Sequence, residues 1–236
     1  MVFIQARMSS ARFRGKMLEK IDGLPLVEFV YQRCLKVNCD VVTILTSTDY
    51  SDNEMYEYCC DRQIPVHRGP LDNVLKRFVD AGDFYQATHI CRVCGDSPFV
   101  DTDYIDQMFE MMTDLRQKTP VLDYMTITGC LDGFRSEIVT LSALKRALRT
   151  TNRPDYLEHV TKYIVENPLS FKTEFLNSKL TCDGVADVSI TVDYPRDMEL
   201  VNHVIKHGLN GFDFSSNDVL KCIEAVRRVK GYDDSP

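Results

Sequence analysis

Short apolar runs alternate with amphipathic stretches along the first half of the chain. Val2–Gln5 and the β-branched run Val41–Thr46 read as buried strands. Ile64–His67 reads as a short strand interrupted by Pro65, which suits a sheet edge. Thr88–Val93 is a fourth strand. Between them lie helical patterns. Leu26–Lys36 carries Phe29, Val30, Arg33 and Cys34 at helical spacing; Asp52–Arg62 and Asn73–Gln86 follow. Asp103–Arg116 has Ile105, Met108, Met111 and Met112 on one stripe and Asp103 as its expected N-cap. Strands separated by helices of this length predict βαβ units. The expected fold is therefore α/β, with a doubly wound, mostly parallel sheet.

From about residue 120 the pattern changes. Tyr124–Thr128 and Phe171–Leu176 read as strands, Ser142–Arg149 and Tyr156–Glu166 as helices. Val188–Val192 is a further β-branched run ending at Asp193. Pro195 suits the first turn of a helix to about His207, and Ser216 is the expected N-cap of a last helix to Arg228. No Pro/Gly/Ser-rich linker divides the chain, so 1–236 reads as one domain with a subregion at about 120–180.

The chain has 236 residues, enough for a substantial core. Its net charge is -7. A protein that coats nucleic-acid phosphates is expected to be basic, so that class is set aside. No apolar run approaches the ~20 residues of a membrane span. Arg7 and Arg12 follow the first strand at once, so no secretory h-region is expected. Nine cysteines in a chain of this size point to free thiols in a reducing cytoplasm.

In a parallel sheet the ligand site lies outside the carboxyl ends of the strands. The loop after the first strand, Ala6–Lys16, holds Arg7, Arg12, Arg14 and Lys16 together with Ser9, Ser10 and Gly15. Arginine grips phosphate oxygens through paired N–H bonds, and lysine acts as a point charge. The loop lacks Walker A spacing; the competing reading is a solvated basic loop. After the fourth strand comes Cys94-Gly95-Asp96, where Asp96 can hold Mg²⁺ against phosphates or cap the following turn. A third segment, Val192-Asp193-Tyr194-Pro195, repeats the pattern of a strand ending in Asp. Two carboxylates facing one basic loop would form a metal-assisted phosphoryl or nucleotidyl transfer site.

The ordered blocks Ala6-Arg7-x-x-Ser10-x-Arg12-x-x-Gly15-Lys16, Thr46-Ser47-Thr48, Arg68-Gly69, Asn73-Val74-Leu75-x-Arg77, Gly95-Asp96-x-Pro98, Glu158-His159-Val160-Thr161-x-Tyr163-Ile164 and Val192-Asp193 resemble the cytidylyltransferase family. That family includes 3-deoxy-manno-octulosonate and acylneuraminate cytidylyltransferases, and the chain looks nearest to the branch of spore-coat polysaccharide biosynthesis protein F. The resemblance implies a Rossmann-like nucleotidyltransferase that joins CMP from CTP to an acidic acceptor and releases pyrophosphate, for surface-glycan precursors. It implies Arg7, Arg12, Lys16 and Asp96 as catalytic residues, with Asp96 and Asp193 binding Mg²⁺. Ala6, Ser10, Gly15, Thr46, Ser47, Arg68, Arg77 and Gly95 would join Arg7 and Lys16 around the nucleotide. Arg135, Glu137 and His159 would face the acceptor. A homodimer is implied, with 120–180 supplying the contacts and part of the acceptor pocket.

Three positions depart from the family pattern. Cys94 stands where the octulosonate enzymes carry Gln before Gly-Asp. Arg14 replaces the usual Pro before Gly-Lys. Gly133-Phe134-Arg135-Ser136-Glu137 replaces Gly-Leu-Asp-x-Glu, so an acid becomes Arg135, which suggests an anionic acceptor.

Other signals are set against simpler readings. Cys91-x-x-Cys94 has redox or zinc spacing but falls in a strand, where its members face apart. His203 and His207 share a helix face without an obvious third ligand. Asp101-Thr102-Asp103 matches the DxD of metal-dependent glycosyltransferases, with helix capping as the competing reading. A non-catalytic nucleotide-binding protein on the same fold is the remaining alternative.

Overall fold

The computed structural model describes residues 1–114, 122–180 and 188–230. β1 (Val2–Gln5) is an apolar four-residue strand with both faces covered. The loop after it closes in a 3-10 turn, Lys16–Leu18, followed by a small hairpin of β2 (Lys20–Ile21) and β3 (Leu24–Pro25). Then come α1 (Leu26–Cys34), β4 (Val42–Ser47), α2 (Asn53–Asp61), β5 (Val66–Gly69), α3 (Val74–Tyr85), β6 (His89–Cys94) and α4 (Thr102–Thr113). The second half comprises β7 (Tyr124–Thr128), β8 (Glu137–Thr140), α5 (Leu141–Thr150), α6 (Pro154–Glu158), α7 (Lys162–Glu166), β9 (Thr173–Asn177), α8 (Pro195–Lys206) and α9 (Ser216–Lys230).

Among the described residues the main sheet has seven strands in the order β5-β4-β1-β6-β8-β7-β9. All its pairings are parallel except the two that β8 makes, with β6 and β7. β1 alternates between faces: Val2 and Ile4 join a core with α1, α4, α8 and α9, while Phe3 joins one with α3 and α5. Helices therefore cover both faces, which is the doubly wound arrangement expected. β5 is an edge strand, as Pro65 suggested.

The chain crosses from β1 to β4 and β5 on one side, then returns to β6 on the other. β1 is thus the topological switch point, where the loops leaving neighbouring strands diverge and open a crevice. Register places Gln5 beside Cys94, so the basic loop and Gly95-Asp96 leave the sheet side by side.

Four local expectations are corrected. α4 is capped by Asp101, whose carboxylate accepts from the Tyr104 N–H at 2.9 Å; Asp103 lies inside the first turn. The expected end of that helix, residues 115–116, lies outside the described residues. Ser215, not Ser216, caps α9 through a reciprocal pair with Asp218. Tyr156–Glu166 is two short helices, broken at His159–Thr161, and the break turns Glu158 and Thr161 toward the sheet. β8 (Glu137–Thr140) went unread in the sequence. Val188–Val192 is not a strand of the sheet, although Val188, Ile190 and Val192 are buried in alternation. It lies across the carboxyl end of β6, with the Val192 N–H donating to the Asp96 carbonyl at 2.8 Å.

Candidate active site

The loop after β1 folds back on itself because the Gly15 N–H donates to the Met8 carbonyl at 2.9 Å. Gly15 sits at φ +79°, a conformation glycine adopts without strain, and the turn starts the 3-10 segment that begins with Lys16. Gly95 is crowded for a different reason: a Cβ there would come within 3.1 Å of the Gln5 carbonyl oxygen and the Ala6 Cβ. The two loops are therefore packed together at their roots.

Lys16 is only 4% exposed. Its ammonium donates to Asp96 Oδ2 at 2.7 Å and to the Val192 carbonyl at 2.6 Å, and lies 3.4 Å from Asp193 Oδ1. A buried ammonium needs such partners, since an unpaired charge at this depth costs several kcal/mol. Arg12 donates to Asp193 Oδ1 at 2.8 Å. Asp96 and Asp193, almost one hundred residues apart in the chain, thus meet at one lysine. Each carboxylate side chain keeps 27% of its surface exposed.

A cavity of about 290 Å³ opens on this cluster and is lined by Gln5, Arg7, Ser10, Arg12, Lys16, Cys94, Asp96 and Asp193, with Ala11 and Met17. A second, about 280 Å³, is lined by Arg92, Ser97, Asp132, Gly133, Arg135, Ser136, Glu137 and Thr191, and again by Arg12, Cys94, Asp96 and Asp193. The last four form the common wall. Burial pushes the Cys94 thiol up from its ordinary value, so this thiol is protonated at neutral pH. Asp96 and Asp193 supply two carboxylates open to both cavities, a donor set that suits Mg²⁺ completed by phosphate oxygens and water. Among the described residues no group of three or more His, Cys, Asp or Glu side chains is placed to hold a metal ion.

Glu137 lies deeper in the second cavity. It accepts from Arg92 at 2.8 Å, from the Tyr124 hydroxyl at 2.9 Å and from Thr161 at 3.0 Å. Burial alone would raise its carboxyl, but Arg92 and these hydrogen bonds outweigh it and hold the group below its ordinary value. Arg92 also donates to Gln5 Oε1 at 3.0 Å, linking the two cavities. Arg135 is exposed at the rim and has no ion-pair partner among the described residues.

The candidate residues divide clearly. Arg7, Ser10, Arg12, Lys16, Asp96 and Asp193 line the first cavity; Arg135 and Glu137 line the second. Ala6, Gly15 and Gly95 shape the backbone beneath. Thr46, Ser47, Arg68 and Arg77 line neither cavity. Thr46 and Ser47 are fully buried, and the Ser47 hydroxyl is taken up by Asp52. Arg68 spends its guanidinium on the Ser47 and Asp49 carbonyls and on Asn53, over the ring of Tyr56. Arg77 is buried, with its guanidinium on the Pro70 and Leu71 carbonyls. Within the block Glu158–Ile164, His159 is exposed and lines neither cavity; Glu158 pairs with Arg7 at 2.9 Å and Thr161 reaches Glu137. Gln5, Arg92, Glu158 and Asp132 were missed. Arg92 left one signal: a charged residue in the middle of an otherwise apolar strand.

Asp101 and Asp103 lie on a separate cavity of about 270 Å³, where Asp101 caps α4 and accepts from Ser216. Cys91 is in the core and Cys94 at the cavities, so the pair faces apart. The His203 and His207 rings stack, with centroids 6.4 Å apart. No helix among the described residues is long and apolar enough to cross a membrane.

Residues 1–208 match the family model described as Cytidylyltransferase. The chain is 30% identical to an uncharacterized protein of Methanocaldococcus jannaschii, over 97% of this chain and 96% of that one. It is 27% identical to the spore coat polysaccharide biosynthesis protein SpsF of Bacillus subtilis, over 93% and 92%. A cytidylyltransferase structure from Leptospira borgpetersenii superposes with a TM-score of 0.87 at 25% identity, covering 100% of this chain and 98% of that one. With the carboxylates, the basic loop and the fold all in agreement, the chain belongs to the cytidylyltransferase family.

Proposed function

We propose that the protein catalyses Mg²⁺-dependent transfer of CMP from CTP to an anionic acceptor, a sugar acid or a related compound, as a step in surface-glycan precursor synthesis. The observation that carries this reading is the common wall: both cavities share Arg12, Cys94, Asp96 and Asp193. A nucleotide in the first cavity and an acceptor in the second would meet there.

In the reaction an acceptor oxygen attacks the α-phosphorus of CTP, the bond to the bridging oxygen breaks, and pyrophosphate leaves. The acceptor hydroxyl gives up its proton to water as the new P–O bond forms. Negative charge builds on the phosphoryl oxygens and the leaving group, so fixed cations are the main catalytic tools. Arg7, Arg12 and Lys16 hold the triphosphate and neutralise the departing pyrophosphate. Asp96 and Asp193 hold Mg²⁺, which supplies Lewis-acid neutralisation of phosphate charge when bound. Arg135 pairs with the acceptor's anionic group. Thr46, Ser47, Arg68 and Arg77 act by shaping the ends of β4 and β5 beside the nucleotide rather than by touching it.

The segment 120–180 is read as the acceptor side and the contact of a homodimer. Support for the dimer comes from β9, an edge strand on which Phe175 is 47% exposed, and from Leu169, fully exposed in the turn before it.

The test is a pyrophosphate-release screen of the four nucleoside triphosphates against acidic and neutral acceptors. Release from CTP with acidic acceptors is expected; release of a nucleoside diphosphate from a nucleotide sugar, or no turnover with any acceptor, would overturn the reading.

A further inference from the structure

Asp52 is fully buried, and its position is unusual for an aspartate. It immediately precedes α2, where a carboxylate ordinarily caps its own helix. Here it makes no such cap. Oδ1 instead accepts from the Met8 N–H at 2.7 Å, across 44 residues of chain. Oδ2 accepts from the Ser47 N–H at 3.0 Å and from the Ser47 hydroxyl. One carboxylate thus ties the basic loop after β1 to the carboxyl end of β4.

The tie is continuous with the active cluster. Met8, held through its N–H by Asp52, accepts through its carbonyl from the Gly15 N–H at 2.9 Å. Gly15 is followed directly by Lys16, whose ammonium meets Asp96 and Asp193. Asp52 itself lines neither cavity. Charge-assisted hydrogen bonds to backbone N–H groups are among the stronger ones available in a protein, and a buried carboxylate cannot give them up to water.

We infer that Asp52 is a positioning residue for the triphosphate loop: it sets the loop's anchor at Met8, and through Met8 and Gly15 it sets where Lys16 stands. This rests on the proposed role of that loop in holding CTP. Loop misplacement of even 1 Å weakens contacts to a polyanion at several points at once. The effect should therefore grow with the number of phosphates the loop must grip.

The experiment compares Asp52→Asn, Ser47→Ala and Lys16→Ala by titration with CTP and with CMP, together with unfolding midpoints of the ligand-free proteins. Asp52→Asn keeps an acceptor for one N–H but sets a donor against the others. It is expected to weaken CTP binding about tenfold while CMP binding changes less than about twofold. Ser47→Ala removes the hydroxyl tie, together with the acceptor for the Asp49 N–H at 3.1 Å, and should give the same selective loss at about threefold, which keeps the test open should Asp52→Asn fold poorly. Equal losses for CTP and CMP, or full CTP affinity in both variants while Lys16→Ala loses it, would overturn the positioning role alone. Unchanged CTP affinity in Lys16→Ala would overturn the underlying reading of the loop as well.

Discussion

In the first cavity Lys16 and Arg12 hold Asp96 and Asp193, carboxylates that remain partly open to solvent. In the second, Arg92 and Glu137 hold each other with 18% and 12% of their side chains exposed, and Tyr124 and Thr161 donate to two further lone pairs of Glu137. On the proposed reading the first set of ion pairs exchanges: phosphates would take the cations, and Mg²⁺ the carboxylates. In the second, the Arg92–Glu137 pair is locked by its partners, and the exposed Arg135 and Asp132 line the same cavity. Similar residue types thus do different work. What separates them is how far their carboxylates are open to solvent, 27% for Asp96 and Asp193 against 12% for Glu137.

The comparison can be broken in order of effect. Asp96→Asn and Asp193→Asn, measured by pyrophosphate release, should each lower kcat by about 10²–10³ with circular dichroism unchanged. Activity retained in both would mean that the first cluster is structural after all.

Glu137→Gln should act on stability first. It leaves Arg92 buried without its counter-charge, at a cost of about 3 kcal/mol in urea unfolding at pH 7. The pH dependence sharpens the point. Because the folded protein holds the Glu137 carboxyl below its ordinary value, its contribution is present above pH ~4.3 and is lost as pH falls through the lowered value. Glu137→Gln should therefore flatten the acid side of the stability profile; an unchanged acid limb would show that the pair is not locked.

Lys16→Ala should weaken CTP binding about thirtyfold in calorimetric titration and CMP binding much less, since a point charge acts on the phosphates within its reach. Equal effects on both would contradict exchange of Lys16 from carboxylates to triphosphate. Arg135→Ala should raise the KM of an anionic acceptor about tenfold and leave that of a neutral one unchanged. Equal losses with both would remove the acceptor role of Arg135.

The residues of the first cavity were largely legible beforehand, and there is a reason. Arg7, Arg12, Lys16 and Asp96 follow directly on strands, and a parallel sheet places every such loop at one end. The second cavity was far less legible. Its main charged pair comes from the middle of β6 and from β8, which went unread, and one of its supports, Thr161, lies in the break between α6 and α7. His159 was expected to face the acceptor, yet it is exposed and lines neither cavity, while its neighbour Glu158 pairs with Arg7.

Periodicity and composition by themselves determined the α/β class, the order of the first strands and helices, and the basic loop with its strand-end carboxylate, because those depend on local pattern and on one rule about parallel sheets. Tertiary structure alone decided that Asp193 arrives on a segment laid over β6 rather than on a strand, that Ser47 and Arg68 spend their polar groups on the protein, and that Asp52 faces the loop instead of its helix. Each of those depends on which hydrogen-bond partner lies within about 3 Å in space, and spacing along the chain carries no record of that.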